Sequence, residues 1–147
     1  RDDLLAVMKS VDLIIINDGE VRMLAEDDNL IRASRQLIAM VGCQTLIIKK
    51  GENGVLAFHG DDMIALPAYP TENVVDPTGC GDSFAGTIAA CLAANNGPIS
   101  KSELRDAFIR ATVTASFTLE SFGTSGLIGL TVEKFKLRLA QFEEILS

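Results

Sequence analysis

Two apolar runs constrain this chain more than any other feature. Asp12-Leu-Ile-Ile-Ile16 and Thr45-Leu-Ile-Ile-Lys-Lys50 are rich in β-branched residues and lack polar alternation, the pattern of strands buried on both faces. Between them, Asp18 to Ala25 reads as a helical turn or two. From Leu30 to Val41, the residues Ile31, Leu37, Ile38 and Val41 recur at helical spacing, with Arg32 and Arg35 on other faces. This β-α-β order predicts a parallel sheet with helical crossovers. Gly54 to His59 and Met63 to Leu66 then flank Gly60-Asp61-Asp62 as a hairpin. After Pro67 and Pro70, Asn73 to Val75 reads as a last short strand. A small-residue helix is predicted from about Asp82 to Ala94, stopping at Asn95-Asn96-Gly97. Ser100-x-x-Glu103 is a capping box opening a helix to about Leu119. A glycine-rich loop, Gly123 to Gly129, precedes a final amphipathic helix, Val132 to Leu146. The expected class is α/β, with a mostly parallel sheet and an antiparallel hairpin edge. No linker rich in Pro, Gly and Ser interrupts it, so residues 1–147 read as a single domain.

Composition narrows the function. Of 147 residues, 48% are hydrophobic and 22% charged, which supplies a core and argues against disorder. Thirteen basic residues against twenty acidic ones give a net charge of −7, with no basic cluster to neutralise a nucleic acid or an anionic membrane surface. No apolar stretch approaches the roughly 20 residues that span a bilayer, and no signal peptide is visible. Cys43, Cys80 and Cys91 fit no zinc or redox spacing and read as reduced thiols in a cytoplasmic setting. The start at Arg1, without an initiator Met and close to a helix end, reads as a fragment or a processed chain.

One segment carries chemistry: Asn73-Val-Val-Asp-Pro-Thr-Gly-Cys-Gly-Asp-Ser-Phe-Ala-Gly86. A strand ends, a turn with two close glycines follows, and a helix begins. Successive N–H groups at Gly79, Cys80 and Gly81 can point the same way as an anion hole, and the helix N-terminus adds its unpaired amides and partial positive charge. Asp82 is the informative residue. An aspartate at a helix start is commonly a cap, but beside a phosphate hole its charge repels the ligand. Its place makes sense if it accepts the proton of a hydroxyl attacking that phosphate, as a general base. The pattern is not a P-loop, since Asp-Ser follows Gly81 where Lys and Ser or Thr are needed, and Gly86 breaks the dinucleotide spacing.

Asp76-Pro-Thr-Gly-Cys-Gly-Asp-Ser-Phe-Ala-Gly86 resembles the C-terminal signature of the ribokinase, or phosphofructokinase-B, family of ATP-dependent sugar kinases. Asn17-Asp-Gly-Glu20 resembles the family's Asn-x-x-Glu motif near magnesium and the phosphates. Lys50-Gly-Glu-Asn-Gly54 resembles its strand-loop-strand element lining the nucleotide, and Ala115 to Thr124 resembles the helix and loop bordering the adenine. The resemblance runs from about Asp12 to Leu127. It implies the C-terminal portion of a three-layer Rossmann-like ribokinase fold. It also implies phosphoryl transfer from ATP to a hydroxyl of a small sugar or sugar-like substrate.

Carried over by position, Asp82 would be the base, and Gly79, Cys80 and Gly81 would offer amides to the phosphoryl group. Asn17 and Glu20 would act through Mg²⁺ and water, and Lys49, Lys50, Gly51 and Gly54 would border the nucleotide. Asp76 and the Thr78 carbonyl would take a monovalent cation such as K⁺. Cys80 stands where many members carry alanine, which predicts sensitivity to thiol reagents. Each position also has a plainer reading. Glu20 fits a first-turn acid, Asp76 a turn before Pro77, and either lysine a solvated strand end. His59, Cys43 and Cys91 read as structural, Asp27-Asp28 and Asp61-Asp62 as solvated loops, and Phe84, Ile88 and Leu92 as packing. Gly86 would let its helix approach the sheet closely. Family members are considerably longer, so the sugar-binding and lid portion is absent and this chain alone is expected to be a poor or inactive kinase. A truncated sheet edge predicts self-association as a homo-oligomer or reduced stability. The alternative is a non-catalytic nucleotide-binding module of the same fold, against which Asp82 argues.

Overall fold

The computed structural model describes residues 1–95 and 97–147, so the part of the expected helix stop at Asn96 lies outside the described residues. Two units follow one another along the chain, Arg1–Pro67 and Ala68–Ser147.

The first unit runs α1 (Asp2–Met8), β1 (Leu13–Asn17), α2 (Asp18–Ala25), α3 (Leu30–Val41), β2 (Thr45–Lys49), β3 (Val55–His59) and β4 (Asp62–Leu66). Its strands lie in the order β1-β2-β3-β4. The two apolar runs pair in parallel, with Ile15 opposite Ile47 and Asn17 opposite Lys49. The β2–β3 and β3–β4 pairs are antiparallel. The α/β class and the hairpin edge are as expected, but the described sheet is mixed rather than mostly parallel. The reason is the short Lys50–Gly54 connection, which is long enough for a hairpin and far too short for a crossover.

One core cluster fills this unit, built from Ile14, Ile16, Leu46, Ile48, Leu56 and Phe58 of the strands with Val21, Leu24, Leu37 and Val41 of the helices. On α3 the inward face is Ala33, Ser34, Leu37 and Val41, while Ile31 is 39% exposed. The small residues carry the face that Ile31 was expected to carry. The buried Ser34 hydroxyl is satisfied by donating to Leu30 O at 2.6 Å. Asp27 is more than a solvated loop residue. It accepts from Asn29 N at 2.8 Å and from Arg32 Nε and Nη2 at 2.7 and 2.9 Å, so it organises the start of α3 around the Asn29 cap. His59 is structural, its Nδ1 lying 2.8 Å from Thr45 Oγ1.

The second unit is helical: α4 (Cys80–Ala93), α5 (Lys101–Leu119), α6 (Ser125–Ile128) and α7 (Val132–Leu146). The Ser100–Glu103 capping box forms as expected. Phe84 of α4 stacks on Phe108 of α5 with centroids 6.4 Å apart, and Tyr69 meets the fully buried Phe142 of α7 at 5.6 Å. Residues 73–75 are not a strand. Val74 and Val75 are exposed, and the Val75 and Asp76 amides both donate to Leu119 O, at 3.0 and 3.1 Å. The extended segment is therefore tied to a helix end instead of a ladder. The glycine loop contains the short α6, and Gly126 is required there. A Cβ on it would overlap the Phe117 carbonyl oxygen and the Ser121 hydroxyl. A Cβ built on Gly86, in contrast, meets no atom of the described residues within 4 Å.

Candidate functional site

In the first unit, the sequence-derived residues gather at the C-terminal ends of the parallel strands. Asn17 ends β1 and Lys49 ends β2 as its register partner. In an α/β sheet this is the end at which ligands bind. Asn17 also starts α2 through a reciprocal capping box. Its Oδ1 accepts from Glu20 N at 2.8 Å, and Glu20 Oε2 accepts from Asn17 N at 3.1 Å. The Asn-x-x-Glu pattern matches the same capping-box signature as Ser100 and Glu103. Lys49 and Lys50 are half-buried. The turn after them is closed by Lys50 N donating to Gly54 O at 2.8 Å. Gly51 has φ +56°, and Gly54 has φ +83° with ψ −141°, backbones that side chains resist. The two glycines are therefore required by the turn itself.

In the second unit, Asp76 to Asp82 form a continuous turn into α4. The Thr78 amide donates to Asp76 Oδ1 at 2.9 Å, and that bond, followed by one from the Thr78 side chain, holds the Asp76 carboxyl below the usual carboxylate range. Gly79 is the N-cap residue, at φ +84° and ψ −7°. The helix thus begins at Cys80, two residues before its expected start, and Asp82 stands in its first turn with an exposed side chain. The Cys80 amide donates to Pro77 O at 3.2 Å, and the Ser83 amide to Gly79 O at 2.9 Å. Among the described residues, the Gly81 and Asp82 amides have no acceptor. Of the three amides expected to line an anion hole, that of Cys80 is thus engaged within the turn, whereas that of Asp82 joins the open set.

The last turns of α5 form the floor beneath this loop. The Cys80 thiol lies 3.6 Å from Ala115 O. The Thr118 hydroxyl donates to Ser83 Oγ at 3.0 Å. Burial, and secondarily the charge of Asp76, pushes the Cys80 thiol up from its ordinary value. The reactive thiolate is disfavoured as a result, against the expected sensitivity to thiol reagents. Among the described residues, no three His, Cys, Asp or Glu side chains gather into a metal cage.

The fold is similar to that of a ribokinase-like protein from E. coli, solved in complex with ATP and Mg²⁺. The likeness covers 96% of this chain and 43% of that one, with a TM-score of 0.78 and 24% identity. The fold is thereby that of the ribokinase-type α/β proteins. Residues 1–128 match the pfkB family of carbohydrate kinases, and the chain belongs to that family. It is 37% identical over 92 residues to cytidine kinase from Thermococcus kodakarensis, covering 61% of this chain and 32% of that protein. It is 31% identical over 108 residues to fructokinase-2 from Oryza sativa subsp. japonica, covering 73% and 32% respectively. The chain thus spans about a third of the length of these relatives.

Proposed function

We propose that this chain is the phosphoryl-transfer portion of a carbohydrate or nucleoside kinase, with Asp82 as general base and the Asp76–Gly81 turn as the cradle of the transferring phosphoryl group. One observation carries the reading. A glycine at φ +84° turns the chain into α4 so that the Gly81 and Asp82 amides, without acceptors among the described residues, open beside an exposed carboxylate. Two free amides at a helix N-terminus suit an anion, whereas a permanent carboxylate there suits proton acceptance rather than anion binding.

In the reaction, a substrate hydroxyl oxygen forms a bond to the γ-phosphorus while the bond to the β–γ bridging oxygen breaks and ADP leaves. The hydroxyl proton passes to Asp82 Oδ. The Gly79 and Gly81 amides bear on the phosphoryl oxygens, with Asp82 N added and Cys80 N holding the turn closed. Lys49, Lys50, Gly51 and Gly54 border the nucleotide. Mg²⁺, when bound, neutralises charge developing on the phosphates. Asn17 and the Glu20 oxygen not used by the cap are the candidates to hold it, through water. Asp76 and the Thr78 carbonyl are candidates for a K⁺ site. The substrate is a small sugar or nucleoside, the setting is cytoplasmic, and an edge strand of the sheet is the candidate surface for self-association.

Calorimetric titration with Mg·ATP tests the reading. Wild type is expected to bind, and Asp82→Asn to bind equally or more tightly. Loss of binding in Asp82→Asn would make this residue a binding group rather than a base, and a wild type that does not bind would refute the nucleotide site in this chain. In a polypeptide that carries out turnover, the same substitution is expected to lower kcat by about 10²–10⁴-fold with little change in nucleotide affinity.

A further inference from the structure

We propose that Arg138, on α7, is a positioning residue for the phosphate loop, an inference that rests on the reading of that loop given above. Its guanidinium spans the last turn of α5. Nη1 donates to Ser116 Oγ at 3.0 Å, and Nη2 donates to Glu120 Oε2 at 2.8 Å. Its central carbon stands 3.8 Å from the Phe117 ring centroid and 5.1 Å from that of Tyr69. Arg138 and Glu120 side chains are only 19% and 20% exposed, so the pair is partly shielded from solvent screening. The cation also meets a helix C-terminus, whose partial charge is negative.

That turn is where the loop is tethered. Glu120 Oε1 accepts from Thr71 Oγ1 at 2.8 Å, and Thr71 Oγ1 accepts from Asn73 N at 3.1 Å. Leu119 O holds the Val75 and Asp76 amides, Thr118 Oγ1 holds Ser83, and Ala115 O faces the Cys80 thiol. Both approaches to the Asp76–Asp82 turn, from the preceding segment and from the first turn of α4, therefore end on residues 115–120. Arg138 bridges Ser116 and Glu120, one helical turn apart, and so fixes the spacing of the carbonyls and side chains that the loop uses. A lysine at this position has neither the fork to reach both acceptors nor the plane to stack on Phe117.

Amide hydrogen exchange on the whole chain separates positioning from simple packing of α7. Three variants are compared with wild type: Arg138→Met, Arg138→Lys, and Lys136→Gln as an exposed control on the same helix. Arg138→Met, which removes both hydrogen bonds of the guanidinium, is expected to speed exchange at Asn73, Val75 and Asp76 about tenfold or more. Arg138→Lys is expected to fall between it and wild type. Val113 in the middle of α5 and Ile47 in β2 are expected to keep wild-type rates. Mg·ATP titration is expected to weaken several-fold in the same order. Unchanged exchange at Val75 and Asp76, an equal rise at Val113, or wild-type behaviour in Arg138→Lys would each overturn the proposal. A wild type that fails to bind Mg·ATP would refute the kinase reading, while the exchange rates would still decide whether Arg138 positions the loop.

Discussion

Replacing Gly79 separates backbone strain from crowding at the point where the chain turns into α4. Its φ of +84° lies in the left-handed region, and an added Cβ would meet Thr118 Cγ2 at 3.7 Å, an ordinary van der Waals contact. Space is therefore available, and the whole penalty of Gly79→Ala is conformational. Holding an L-residue in that region costs about 1–2 kcal/mol. Part of this is offset by the smaller unfolded-state entropy of alanine, about 0.4–1 kcal/mol. The net loss is about 1 kcal/mol, or roughly 2–4 °C in Tm for a chain of this size. Asparagine is larger than alanine but tolerates the left-handed region better. Thermal melts followed by circular dichroism are therefore expected to rank wild type above Gly79→Asn, and Gly79→Asn above Gly79→Ala. The reverse order for the two variants would show that size decides, and would refute the strain argument. Melts identical to wild type would refute it as well.

Gly126→Ala is a different case, because the new Cβ would overlap a backbone carbonyl of α5 that cannot rotate away. A loss of about 3 kcal/mol is expected by urea unfolding, and a loss below that for Gly79→Ala would contradict the geometry. Acid is expected to destabilise the chain through carboxylates whose folded pKa is depressed: Asp27, chiefly by the Arg32 side chain, Glu103, chiefly by the Ser100 side chain, and Asp76, chiefly by the Thr78 amide. Each takes up its proton more readily in the unfolded chain, so this stability is present above the ordinary carboxylate pKa of about 4 and is lost as pH falls through the lower folded values. Melts between pH 6 and pH 2.5 are expected to be flat and then to fall, with a shallower acid limb in Asp27→Asn; an equally steep limb would exclude Asp27 as a contributor.

What was legible in the sequence follows from the range of the forces involved. The β1-α-β2 order and the bounds of α2, α3, α5 and α7 emerged from apolar spacing and capping residues, which are local signals. The strand expected at residues 73–75 failed because a strand needs a partner, and the amides there go instead to Leu119 O, more than forty residues away. Ile31 lies off the inward face of α3 despite its apolar spacing, because small Ala33 and Ser34 allow closer packing than a large side chain. The glycines of the Asp76–Asp82 turn were read for their freedom of backbone, and Gly79 does use it. That Cys80 N would be taken by Pro77 O was not legible, since it depends on the helix starting at Cys80 rather than at Asp82. Arg138 left no signal at all, because its partners at Ser116 and Glu120 are set by how α7 lies on α5.

The Asn17–Glu20 pair shows why a motif and a cap need not compete. Any Asn-x-x-Glu at a helix start can close the same reciprocal box, as Ser100 and Glu103 do at α5, so the hydrogen bonds alone say nothing about a ligand. Position distinguishes the two boxes. Ser100 follows a loop, whereas Asn17 is the last residue of a parallel strand and lies in register with Lys49 at the end of its neighbour. In that place the cap occupies only one Glu20 oxygen, through Asn17 N. The other is left without a partner among the described residues, on a carboxylate whose rotamer the cap has already fixed. A carboxylate held this way loses little conformational entropy on meeting a hydrated cation. The structural role of the box would therefore pre-organise the metal site proposed above, and the two roles of Glu20 do not exclude each other.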